Sequence, residues 1–153
     1  MQEAKVELVF IVESWLNDSM LDSMLAPPGW SVFRRDRGAA GAASKGKGGG
    51  VCVIFKNNPR IVIKRVDLPS RFNSLEIVAI DILADNTNNG TRIIVVYYPP
   101  DQLSDIYMCK LLISAFMYIG NTNLFVCIIG DLNLSRMDWV KNFHPTMTYT
   151  LNF

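Results

Sequence analysis

Apolar residues fall into short runs along the first hundred positions, separated by turn-forming residues. Leu8 to Val12 is a continuous apolar run closed by Glu13, and predicts a buried strand. Asn17-Asp18-Ser19 can cap a short helix through Leu25, which Pro27-Pro28-Gly29 stops. Trp30 to Phe33 predicts a short strand and Val51 to Phe55 another. Ile61 to Ile63 predicts a further one, after the turn signal Asn57-Asn58-Pro59. Leu75 to Leu83 and Arg92 to Tyr97 are long β-branched runs joined by Asp85-Asn86-Thr87-Asn88-Asn89-Gly90. That pairing predicts a hairpin, with Asn89-Gly90 supplying positive φ angles. Pro99-Pro100 ends the second run. From Asp101 to Tyr118 the apolar spacing turns helical (Leu103, Ile106, Tyr107, Leu111, Ala115), behind an acidic first turn. Tyr107, Met108, Phe116, Met117 and Tyr118 read as helix core rather than as ligands. Leu124 to Ile129 predicts the last strand, buried and rigid, and the tail from Asn142 to Phe153 has no strong pattern. Strands dominate and one long helix precedes the last of them, which suggests an α+β layered domain.

Composition narrows this picture. At 153 residues one domain is the default. The chain is 50% hydrophobic and 19% charged, enough to bury a core and unlike a disordered segment. The formal net charge of +1 points to no partner, but its distribution is uneven. Arg34, Arg35, Arg37, Lys45 and Lys47 lie close together with one acid, Asp36, and run into Gly38 to Gly50, a low-complexity segment that reads as a surface loop. Phosphate contact by Arg34, Arg35 and Arg37 competes with an ordinary solvated face. Cys52, Cys109 and Cys127 sit in apolar runs without metal-ligand spacing, and read as reduced thiols of an intracellular, soluble protein. The first residues carry acids where a signal peptide is basic. The stretch around Ile106 to Ile119 is broken by Lys110 and is shorter than the ~20 residues that span a bilayer.

The chemistry-bearing residues gather at strand ends. Gly130-Asp131-Leu132-Asn133 closes the last strand, with a carboxylate and an amide two residues apart. An Asx-turn, in which Asp and Asn cap their own backbone, is the plain alternative. Glu13, the basic segment, Tyr97-Tyr98-Pro99-Pro100 and this tetrapeptide all lie at or just beyond strands, where loops at one sheet edge converge. Two carboxylates and an amide could hold a hard divalent ion and a water, and Mg²⁺ favours few carboxylates completed by waters and phosphate oxygens. Glu76, inside a strand, reads as structural.

These motifs resemble the endonuclease/exonuclease/phosphatase superfamily, and more narrowly the endonuclease domain of non-LTR (LINE-type) retrotransposon polyproteins. The residues that carry the likeness are Val12-Glu13-Ser14-Trp15-Leu16, Trp30-x-Val32-Phe33-Arg34-Arg35-Asp36-Arg37, Gly48-Gly49-Gly50-Val51-Cys52-Val53, Val95-Val96-Tyr97-Tyr98-Pro99-Pro100, Gly130-Asp131-Leu132-Asn133 and Asp138-Trp139. The resemblance implies a four-layer α/β sandwich with two facing, mostly antiparallel sheets. It also implies Mg²⁺-dependent (or Mn²⁺-dependent) cleavage of a DNA phosphodiester, with DNA as partner and neither a membrane nor a small-molecule cofactor. By it, Glu13 matches the metal-binding glutamate, Tyr97 the tyrosine at the scissile phosphate, Asp131 the aspartate that orients or deprotonates water, and Asn133 the asparagine that positions the phosphate. Tyr98 stands where the motif has Arg, and Leu132 where it has Phe.

Two elements of the family pattern have no match: an opening strand carrying Asn ahead of the Glu motif, and a closing Ser-Asp-His. The resemblance thus implies a single domain over 1–153, incomplete at both ends. The one histidine, His144, follows Asn133 too soon to match that motif and reads as a loop residue. Two alternatives stand beside the endonuclease: a catalytically inactive retroelement fragment with at most weak nucleic-acid binding, and a phosphatase of lipid or inositol phosphates on the same fold.

Overall fold

In the computed structural model, residues 7–38, 48–84, 89–100 and 106–133 are described, and all structural statements concern these. Lys45, Lys47, the loop Asp85 to Asn88, the acidic start of the long helix, Asp138-Trp139, His144 and the C-terminal tail lie outside them.

The elements follow in the order β1 (Leu8–Val12), α1 (Asp22–Leu25), β2 (Trp30–Arg35), β3 (Val51–Lys56), β4 (Ile61–Arg65), a 3₁₀ turn (Ser70–Phe72), β5 (Glu76–Ala84), β6 (Gly90–Tyr97), α2 (Ile106–Gly120) and β7 (Phe125–Asp131). They form a three-stranded sheet ordered β1-β3-β2 and a four-stranded sheet ordered β4-β5-β6-β7. Every pairing is antiparallel except β6 with β7, whose strands run parallel because α2 carries the chain back across the sheet. The predicted β5–β6 pairing is present, with Leu83 opposite Gly90, but Gly90 does not have the expected positive φ, because it is already the first residue of β6.

Alternation along the strands sets the layers. Val51, Val53 and Phe55 of β3 pack against Val78 and Ile80 of β5 and Val95 and Tyr97 of β6, forming the core between the sheets. Ile77, Ala79, Ile94 and Val96 point the other way and meet Met108, Leu112, Ala115 and Ile119 of α2. On the far side of the three-stranded sheet, Arg34 reaches Asp22 of α1 at 3.1 Å. The α+β class with two facing, mostly antiparallel sheets between helical layers is therefore the observed architecture.

Three further local expectations change, and one strand takes a sheet that the sequence does not specify. The first helix starts at Asp22, because Asn17 uses its Oδ1 to accept the Ser19 amide (3.0 Å) in a turn instead of capping a helix. β4 follows β3 after a short turn yet joins the opposite sheet, since its partner is β5. The α2 core face is Met108, Leu112, Ala115 and Ile119, while Tyr107 is 69% and Met117 60% exposed. α2 is apolar around most of its girth, so spacing alone does not single out the buried side. β7 is an edge strand among the described residues, with Phe125 and Ile128 exposed, rather than a buried one.

Candidate active site

Register places three side chains in a row. Glu76 opens β5, Tyr97 closes β6 and Asp131 closes β7, and Tyr97 is the cross-strand partner of both acids. Directly opposed residues share a face. Tyr97 lies in the core between the sheets, so this face is the one turned toward the other sheet. From that opposite sheet, Glu13 follows the last residue of β1. The Tyr97 hydroxyl donates to Glu13 Oε1, bridging the two sheets across the end of the sandwich. Tyr97 is buried, whereas the Glu13 and Asp131 carboxylates are open to solvent.

Burial, then the hydrogen bond and charge of Glu13, push the Tyr97 phenol up to about 12, against the opposing pull of Arg37. The hydroxyl is thus a neutral donor near pH 7.

A buried pair stands behind this bridge. Arg37 Nε meets Glu76 Oε1 at 2.6 Å, and the Arg37 guanidinium lies over the Tyr97 ring, 5.4 Å from its centroid. The other Glu76 oxygen accepts the Gly50 amide. Burial works against the Arg37 charge, but Glu76 and then Tyr97 together outweigh it and the guanidinium pKa is raised. The glycines have a local reason: a Cβ on Gly49 would strike the Arg37 guanidinium. Ser14 and Trp15 amides then donate to the Gly50 and Gly49 carbonyls at 3.1 and 2.9 Å, which fixes Glu13 beside them.

At the other side, the Asx-turn reading of Gly130-Asp131-Leu132-Asn133 is realised: Asp131 Oδ1 accepts the Asn133 amide at 2.8 Å. The turn also serves the site. Asn133 Nδ2 donates to the Tyr98 carbonyl (2.9 Å), and the Tyr98 amide to the Asp131 carbonyl (2.8 Å), clamping the ends of β6 and β7 together. Glu13, Trp15 and Asn133 are the non-glycine residues with left-handed backbone among those described, at φ 52°, 56° and 50°. Two of the three are candidate site residues, and strained backbone of this kind concentrates at functional sites.

No protein-family model matches this chain, and no curated protein matches it. Among solved structures, it is similar to the human Nocturnin catalytic domain with bound sulfate anion, at 14% identity and a TM-score of 0.45, over 83% of this chain and 51% of that one. The chain spans about half the length of that domain.

The structure thus brings Glu13, Tyr97, Asp131 and Asn133 to one end of the sandwich, with Arg37 behind Tyr97. It separates the other arginines. Arg34 points to the outer side of its sheet and pairs with Asp22 and Asp36 (3.1 and 3.5 Å). Arg35 faces inward and donates to the Asn73 carbonyl. Glu76, read from the sequence as structural, proves to be the anchor of Arg37 and Gly50; its one sequence signal is a charge in cross-strand position to Tyr97. Among the described residues no group of three or more His, Cys, Asp or Glu side chains gathers to hold a metal. Hard oxygens at one open end suit an ion that completes its shell with waters and phosphate oxygens, and no thiolate lies among the residues gathered there. No helix among the described residues is long and apolar enough to cross a membrane.

Proposed function

We propose that this chain is a Mg²⁺-dependent phosphodiester-cleaving domain acting on DNA, of the endonuclease/exonuclease/phosphatase type and of retroelement kinship. The observation that carries the reading is the Glu13–Tyr97 bridge across the end of the sandwich, with Asp131 as the cross-strand neighbour of Tyr97. Glu13 and Asp131 are solvent-open carboxylates, the first bonded to a neutral phenol donor and the second its cross-strand neighbour. Glu13 would hold Mg²⁺, which supplies charge neutralisation at a phosphate oxygen and lowers the barrier to attack by water. Tyr97 donates to a non-bridging phosphate oxygen once the phosphate displaces Glu13 as its acceptor. Asp131 accepts the proton of the attacking water, and its Asx-turn holds the carboxylate still. Asn133 spends one amide N–H on Tyr98 and offers the other to the phosphate.

The test is nicking of supercoiled plasmid with and without Mg²⁺ by residues 1–153, beside Asp131→Ala and Glu13→Gln. The expected result is slow, Mg²⁺-dependent nicking that each substitution reduces by roughly 10²-fold or more, the scale of one lost transition-state contact. DNA binding without nicking by the folded wild type at any Mg²⁺ concentration overturns it and leaves the inactive nucleic-acid-binding alternative. Release of inorganic phosphate from inositol phosphates with no nicking of plasmid would instead favour the phosphatase.

A further inference from the structure

Beside the site lies a cavity of about 210 Å³ that the nuclease reading does not use. Its lining includes Arg35 at the end of β2, Arg65 at the end of β4, Asp67, Asn73 and the apolar Leu75 and Ile77. The two arginines come from opposite sheets. Arg35 lies two residues beyond Phe33, and Arg65 two beyond Ile63; both of those side chains pack between the sheets, so both guanidiniums turn inward. Burial and then the Arg65 charge push the Arg35 pKa down, against the opposing influence of Asp36 and Glu76. Two like charges facing one partly enclosed space, one of them half-buried, are unfavourable by themselves. The arrangement becomes favourable when an anion enters between them.

The cavity adjoins the reacting end. Arg35 is two residues before Arg37, which lies over Tyr97. We propose that the Arg35/Arg65 cavity receives a backbone phosphodiester of the bound nucleic acid, next to the scissile one. This rests on the nuclease reading. Arg35 spends one N–H on the Asn73 carbonyl, and its remaining donors together with the Arg65 fork can meet phosphate oxygens. Asp67 on the lining leaves the set with one net positive charge, which matches a singly charged diester better than a doubly charged terminal phosphate. Arg65, Asp67 and Asn73 carry no part of the sequence motifs, so the site is invisible in them.

The experiment measures binding of a fluorescent duplex oligonucleotide to residues 1–153 by anisotropy, without divalent metal, across a salt series. Arg65 is exposed, so Arg65→Ala should leave the fold intact, as circular dichroism checks. Loss of one phosphate contact should flatten the slope of log K against log salt by about 0.9 and weaken binding about eightfold at 0.1 M salt. Arg35→Lys should weaken binding while leaving the slope near the wild-type value, because it keeps the charge and loses the fork. Lys110→Ala, on the exposed outer side of α2, should change neither. An unchanged slope in Arg65→Ala, with the wild type binding and nicking, overturns the cavity proposal alone. Failure of the wild type to bind any oligonucleotide overturns both readings. Arg65-dependent binding of inorganic phosphate without oligonucleotide binding would make this a small-anion pocket, and overturns the proposal as well.

Discussion

Glu76 offers the sharpest test of how the site is supported. Its carboxylate is 6% exposed and the Arg37 side chain it meets is 13% exposed. Truncation to alanine would leave the Arg37 guanidinium nearly dry and without its counter-charge. Removing one partner of such a pair costs roughly 3–5 kcal/mol. The Gly50 amide would lose its acceptor too, a further ~1–3 kcal/mol. Against a total stability of about 5–15 kcal/mol, Glu76→Ala should remove a large fraction of the stability. Glu76→Gln keeps the shape and an acceptor oxygen, exchanging a charged hydrogen bond for a neutral one, at a cost of about 1–2 kcal/mol. Arg37→Met combined with Glu76→Leu removes both charges into an apolar setting and should recover most of what Glu76→Leu alone loses. Urea unfolding followed by circular dichroism reads all of these. With a denaturant slope of about 2 kcal/mol/M, the glutamine variant should move its midpoint by roughly 0.5–1 M. If Glu76→Ala unfolds within 1 kcal/mol of the wild type, or the double variant is no better than Glu76→Leu, the pair does not hold this end of the sandwich.

Three further outcomes follow from the same geometry. Gly130 has φ of 141° and a Cβ there would land on the Val96 carbonyl, so Gly130→Ala should destabilise by about 1–3 kcal/mol or more; an unchanged melting temperature would contradict the parallel pairing of β6 and β7. Burial pushes the Cys52 thiol up to about 11, so Ellman's reagent at pH 8 should reach the half-buried Cys109 and Cys127 in the native state and Cys52 only on unfolding. Tyr97 has its pKa raised from 10.0 to about 12, so the fold favours the neutral phenol; the stability this contributes is complete below pH 10 and is lost as pH rises through about 12, and Tyr97→Phe should flatten that alkaline decline in a pH series of urea midpoints.

What the sequence reveals and what it hides differ in range. The β5–β6 pairing is legible because its two β-branched runs are neighbours along the chain, even though Gly90 sits in β6 without the positive φ expected of it. β3 and β4 are equally close, yet they part to different sheets, because the partner of β4 is a strand that comes later. The buried side of α2 is hidden for a related reason: Ile106, Ile113 and Met117 are as apolar as the residues that pack, and only the sheet beneath decides. In the site, Glu13, Tyr97 and Asp131 are each conspicuous as a polar residue ending an apolar run. The ties that hold them are not. Arg37 meets Glu76 across 39 positions and Tyr97 meets Glu13 across 84, distances over which no local pattern extends. Arg34, Arg35 and Arg37 look like one basic patch in sequence, but strand alternation sends Arg34 and Arg35 to opposite sides of the sheet.

The backbone at Glu13 turns this into a test that separates chemistry from folding. Its φ of 52° is a conformation in which an ordinary L-residue is disfavoured by roughly 1–2 kcal/mol and glycine is not. Glu13→Ala and Glu13→Gly both delete the carboxylate and its bond to Tyr97, so the difference between them isolates the strain. Glycine loosens the unfolded chain, which works against it by about 0.4–1 kcal/mol. The glycine variant should still be the more stable of the two, by about 0.5–1 kcal/mol in urea unfolding, the reverse of the usual order at a surface position. Both should be inactive in plasmid nicking. If alanine proves the more stable, the left-handed turn is not present and Glu13 has no fixed place beside Tyr97. If glycine is the more stable and neither variant nicks, the strained turn is present and cleavage needs the carboxylate, separately from what its bond to Tyr97 adds to the fold.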